Sequence, residues 1–210
     1  MKRVGIAMKT KFLATALALL LTIPLLSGCG KQDPNAPSGF QTASNDKMEY
    51  SLFVPSSWIV DTDENSMMIS ARASEYISTN ISMIAYANED YVVEKDENGK
   101  DISPVPKYWS EYQKDLEKIF DTDKDNKTTF VLNEEASGKT TLVGGEGTKK
   151  PATGYTYVYS GKLGGVELQY MQVIIYQKNT FYLFTYTSIP DQYEEYMEDV
   201  EAILSYIELP

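Results

Sequence analysis

The chain has 210 residues, with 19 lysines and arginines against 30 aspartates and glutamates, a formal charge of −11, one cysteine and no histidine. Without histidine, Ser-His-Asp, Cys-His and histidine–zinc chemistry are excluded, and the acidic balance opposes binding to nucleic acid or direct adsorption to an anionic membrane surface. A single cysteine cannot close an internal disulfide and is a poor metal site, so its role has to be read from its position.

The first elements in chain order concern location. Lys2, Arg3, Lys9 and Lys11 stand without an acid before FLATALALLLTIPLL, Phe12 to Leu26, which is uncharged. A basic start, an apolar run of this length and small residues after it describe a secretory signal. The run is short for a membrane span, which needs about 20 apolar residues, and Pro24 interrupts a continuous helix. The reading is the same whether Met1 or Met8 is the start. It closes on Leu26-Ser27-Gly28-Cys29, which resembles the lipobox of bacterial lipoproteins. That resemblance implies a diacylglyceryl group on the Cys29 sulfur and cleavage just before it, making residues 1–28 the signal peptide. An ordinary signal peptide with a chance cysteine is the other reading of the same letters. Two acyl chains at about 0.8 kcal/mol per buried CH₂ hold a protein with on the order of 25 kcal/mol. The expected location is therefore the cell membrane, lipid-anchored and facing outside the cytoplasm, with Cys29 as the lipid attachment site.

Loss of residues 1–28 removes four basic residues and no acid, leaving a formal charge of −15. Residues 30–46, GKQDPNAPSGFQTASND, are polar, carry Pro34, Pro37 and Gly39 and show no period. With Cys29 they read as a lipidated N-terminus and flexible tether over 29–46, with a reach of roughly 55 Å fully extended and about 22 Å on average. Residues 47–210 then have the size of a single domain.

Within that domain, strands are expected at Met48–Val54, Met67–Ala71 and Ile81–Ala87, and Asn98-Gly99 marks a tight turn. Lys107 to Phe120 changes period: Tyr108, Tyr112, Leu116 and Ile119 share one face of an amphipathic helix, with Ser103 and Pro104 as its start signals. Strands follow near 128–134 and 140–146, then three long ones at Gly154–Gly161, Val166–Gln177 and Thr180–Thr187. Turns within Gly161–Gly165 and at Lys178-Asn179 make these last three antiparallel neighbours. A final helix runs through DQYEEYMEDVEAILSYI, with Asp191 and Glu194 placed as a capping pair. VELQYMQVIIY and FYLFTYT are apolar on both faces, so the sheet must be covered on both sides. The fold class is α+β: a mainly antiparallel sheet flanked by helices.

YSLFVPSSW, Tyr50 to Trp58, together with the closing FYLFTYTSIPDQYEEYMEDVEAILSYIEL, resembles the opening and the end of the PsbP-like superfamily, whose members include DcrB-type lipoproteins. The likeness spans about 48–209. It implies an αβα sandwich, no common enzymatic activity and work done mostly by binding other proteins. It transfers no functional residue to this chain, and Trp58 reads as a plug under the first turn.

Three motifs remain. Asp121, Asp123 and Asp125 in FDTDKDNKTT have the spacing that begins a calcium loop, but Asn126 stands where glycine is required and Leu132 where the closing glutamate belongs. A solvated connection explains the same residues, and no metal ligand is assigned. Tyr155, Tyr157 and Tyr159 alternate on one strand face, with Tyr182, Phe184 and Tyr186 expected to line a neighbour. Such a row either grips a glycan or peptide from an exposed face or packs under a helix. Glu194, Glu195, Glu198, Asp199 and Glu201 crowd the last helix, as a wet face or a site for a basic partner. A carboxylate pair for glycoside hydrolysis cannot be singled out, so no catalytic residue and no cofactor is assigned. The resulting expectation is a non-catalytic lipoprotein that binds another envelope or secreted protein; the alternative is a small-ligand, glycan or calcium-binding module on the cell surface.

Overall fold

Two turns organise the sheet. Gly164 and Gly165 have φ of 61° and 82°, and Lys178 and Asn179 have φ of 51° and 60°. Each pair is a two-residue hairpin loop with both residues left-handed, the turn whose twist matches that of the flanking strands. They join β10 (Ala152–Leu163), β11 (Val166–Gln177) and β12 (Thr180–Ser188) in strict register, Leu163 opposite Val166 and Gln177 opposite Thr180.

The computed structural model describes residues 36–61, 67–75, 78–145 and 151–210. The other strands are β1 (Phe40–Ser44), β2 (Ser51–Pro55), β3 (Ile59–Asp61), β4 (Ile69–Arg72), β5 (Asn80–Ala87), β6 (Glu94–Lys95), β7 (Asp101–Ile102), β8 (Val131–Asn133) and β9 (Lys139–Val143). The main sheet runs β3-β4-β5-β12-β11-β10-β8, with β9 also paired to β10, and all of its pairings are antiparallel. Helix α1 (Val105–Ile119) lies on one face. The short α2 (Pro190–Tyr193) and α3 (Met197–Ser205) cover the other together with the β1–β2 hairpin. This is the α+β sandwich that strands apolar on both faces require.

Two cores result. Under α3, Leu52, Val54, Val173, Phe184, Val200 and Ile203 are fully buried. Trp58 is 3 % exposed there and donates its Nε1–H to Asp199 Oδ2 at 3.2 Å, so it is the plug under the first turn. Under α1 the core is aromatic: Trp109 stacks on Tyr157 at 3.9 Å, Tyr159 on Tyr170 at 4.9 Å, and Tyr108 leans on Phe181 at 4.6 Å.

Three expectations need correcting. The tether over 29–46 is not flexible to its end, because Phe40–Ser44 is a strand paired along its length with β2, and Phe40 packs edge-on against Tyr206. The final helix is broken: α2 ends at Tyr193 and α3 starts at Met197. The first turn begins after Ile189 with Pro190 inside it and no side-chain cap, so Asp191 and Glu194 form no capping pair.

Candidate functional site

Cys29 and the lipobox lie outside the described residues. The aspartate loop is described: Asp125 is exposed, and the carboxylates of Asp121 and Asp123 serve the backbone. Asp121 accepts hydrogen bonds from the N–H groups of Gly164 and Gly165 at 3.2 and 2.7 Å, tying the end of α1 to the β10–β11 turn. Asp123 Oδ1 accepts from the N–H groups of Asp125 and Lys127, both at 2.9 Å, closing a turn in which Asn126 has φ 59°. Calcium needs six to eight oxygens converging on one point, whereas these two carboxylates are directed to different backbone segments. Millimolar calcium is therefore expected to leave the Tm of the protein unchanged. Saturating occupancy at 100 times Kd would add about 2.7 kcal/mol, several degrees for a domain of this size. A shift of that size, abolished by Asp123→Ala, would restore the calcium reading.

The tyrosine row is packed. Tyr157 and Tyr159 are 5 % and 1 % exposed beneath Trp109, and Tyr155 is half-buried. Tyr182, Phe184 and Tyr186 do not line the same face. Register places Tyr159, Tyr170 and Thr187 in one cross-strand row, so the even-numbered residues of β12 point to the α3 side. The clearly displaced titrations belong to tyrosines, pushed up by burial; Tyr112, Tyr157 and Tyr186 reach about 12. Glu194 and Glu195 between α2 and α3, and Glu198 and Glu201 on α3, are exposed, while Asp199 accepts from Trp58.

Two features stand out that sequence reasoning did not reach. The first is a projecting hairpin formed by β6 and β7. Its turn is tightly specified: Asp96 Oδ1 accepts from the N–H groups of Asn98 and Lys100, Gly99 has φ 77°, and Lys95 pairs with Asp101 at 2.8 Å. Its base is fixed by Tyr91, whose hydroxyl donates to Glu111 at 2.6 Å and whose carbonyl accepts from the Tyr176 hydroxyl at 2.7 Å. Between base and tip, Val92, Val93 and Ile102 are 61 %, 46 % and 46 % exposed. Exposed apolar side chains on a hairpin whose turn and base are both held by hydrogen bonds make it a candidate contact surface.

The second is a polar panel on the α1 face of β4, β5, β12 and β11. Arg72, Asn80 and Thr187 form one cross-strand row, and Ser70, Ser82, Thr185 and Gln172 the next. The same strands present Ala71, Ile81 and Tyr186, then Ile69, Met83 and Phe184, to the α3 side. Single residues such as Ser82 carry no signal in the sequence; the panel exists only once four strands are in register.

No protein-family model matches the chain, and no curated protein matches it. Among solved structures it is similar to the solution structure of cyanobacterial PsbP (CyanoP) from Synechocystis sp. PCC 6803, at 14 % identity and a TM-score of 0.51, covering 86 % of this chain and 98 % of that one. A Pseudomonas aeruginosa protein described as a putative regulator aligns at 14 % identity and a TM-score of 0.44, over 82 % of this chain and 99 % of that one. LpqN of Mycobacterium tuberculosis, involved in cell envelope biogenesis, aligns at 11 % identity and 0.35, over 84 % and 83 %. At these identities the likeness to CyanoP speaks for the fold: the chain has a PsbP-like fold.

Proposed function

We propose that the protein is a lipid-anchored, extracytoplasmic lipoprotein related to the DcrB type, which does no chemistry and works by binding another envelope or secreted protein through the β6–β7 hairpin. The observation that carries this is the hairpin itself. Its eleven residues Val92–Ile102 are exposed except for Asp96, yet both ends are fastened to the core by Tyr91 and Val105. A preformed loop loses little conformational entropy on binding. Val92, Val93 and Ile102 supply apolar contact, and four acids against two lysines between Glu94 and Asp101 favour a partner with a basic rim.

The anchor and the partner are tested in one set of strains. Lipid labelling is expected on the wild type and absent from Cys29→Ser. A photo-crosslinking residue at Val92 or Val93 in intact cells is expected to capture a discrete protein that the same probe at Lys139, exposed on β9, does not. Labelling of the Cys29→Ser protein at the wild-type level would remove the anchor, and equal capture from both positions would remove the hairpin as the contact.

A further inference from the structure

The polar panel is costly as a piece of core. Ser70, Ser82, Gln172, Thr185 and Thr187 are between 2 % and 6 % exposed, and a buried polar group is tolerated only when it is hydrogen-bonded. The inner row meets this condition in part: Gln172 Nε2–H donates to Thr185 Oγ1 at 3.1 Å, the Gln172 side chain meets the Tyr112 hydroxyl and Ser70 donates to Asp61 at 3.4 Å, while Gln172 Oε1 has no partner among the described residues. The outer row does not. Arg72 Nε, Asn80 Oδ1 and Thr187 Oγ1 are buried atoms with no hydrogen-bond partner among the described residues. Each such group carries an uncompensated desolvation cost, and three of them fall on one cross-strand line. Across three adjacent strands that line is about 10 Å long. It reaches solvent at its β4 end, where Arg72 and its neighbour Asn80 on β5 are only half-buried.

The chemistry of the row is specific. Arg72 is the only arginine beyond residue 3 in a strongly acidic chain. It is also the residue type that clasps a carboxylate with two parallel hydrogen bonds. Asn80 holds its amide in place by donating Nδ2–H to Ser78 O at 2.9 Å, so the free Oδ1 can only accept. Thr187 accepts or donates. A cation at one end followed by an acceptor and a hydroxyl calls for an anion joined to hydroxyl groups.

We propose that this panel is a binding site for a small hydroxylated carboxylate, a sugar acid, held with its carboxylate on Arg72 and its hydroxyls on Asn80 and Thr187. The site is on β4, β5 and β12, outside the β6–β7 hairpin, and does not depend on a protein partner.

The test is a titration of the detergent-solubilised full-length protein with glucuronate, followed by saturation-transfer NMR, with glucose and acetate as controls. Glucuronate is expected to bind saturably, and both controls more weakly by about tenfold or more. Arg72→Lys, which keeps the charge but loses the planar fork, is expected to weaken glucuronate by about tenfold at an unchanged Tm. Asn80→Leu, which removes the acceptor, should weaken glucuronate and leave acetate as it was. No saturable glucuronate binding to the wild type overturns the proposal. So does binding that glucose or acetate matches, or that Arg72→Lys leaves intact. Methyl glucuronide separates the sources: binding equal to that of the free acid points to a glycan residue, and weaker binding to a free metabolite, the panel taking a hydroxylated carboxylate in both cases.

Discussion

Raising the pH from 10 to above 12 is expected to unfold the domain in one cooperative step, with tyrosinate absorbance and loss of the β-sheet signal rising together. Burial pushes Tyr112 and Tyr157 up to about 12, and Tyr159, fully buried against Tyr170 and Trp109, well above its ordinary value. The sign follows from linkage. A phenol whose pKa is raised in the folded state contributes its full share below the unfolded value of about 10, and that share is lost as the pH climbs through the folded value. For Tyr112, 7 % exposed, the rise to about 12 is worth on the order of 3 kcal/mol. Total stability is about 5–15 kcal/mol, so a handful of such groups is enough. Tyr159→Phe sharpens the test: its hydroxyl is buried with no partner among the described residues, so the variant should be at least as stable at neutral pH and should unfold at a higher pH than the wild type. Tyrosines titrating one by one near pH 10, with the sheet intact above 12, would contradict this.

The second large effect is expected from Trp109→Ala. Trp109 is 5 % exposed and stacks on Tyr157 with planes 8° apart, while its edge meets Tyr112. Removing a buried tryptophan costs about 3–5 kcal/mol through lost transfer energy and the cavity left behind, a fall in Tm of roughly 6–20 °C for a domain of this size. The damage should be one-sided. The core under α3 shares no side chain with Trp109, so amide exchange should accelerate in α1 before it does in α3. Equal acceleration in both helices would show that the two faces unfold as one unit.

How far the fold could be read ahead depended on whether the deciding interaction was local. The β10–β12 meander was legible because the residues around two short turns and the strands beside them lie next to each other in sequence. α1 was legible from Tyr108, Tyr112 and Leu116, which recur on one face. β1 was not, because FQTAS has too little apolar content to declare itself; it is a strand through its partner β2 and through Phe40 against Tyr206. The placement of Tyr182, Phe184 and Tyr186 beside the tyrosine row missed information already present. Two-residue loops at Gly164-Gly165 and Lys178-Asn179 set the cross-strand rows, and counting through them puts Thr187, not Tyr186, beside Tyr170. The hairpin announced only its turn, since exposure of Val92 and Val93 is a tertiary fact. The panel needed β4, β5, β11 and β12 aligned together, which no single stretch of sequence encodes.

The sheet ends in very short strands on both sides. At one margin β3 offers three residues, Ile59–Asp61, and at the other the long β10 is capped in two pieces, by β9 along Ala152–Thr156 and by β8 along Val158–Ser160. An unpaired edge is a template on which a second chain can add itself, and short margins deny it the length to do so. With the twelve-residue strands kept inside the sheet and three- to five-residue strands at its margins, this chain can be present at high local concentration without its sheets joining edge to edge.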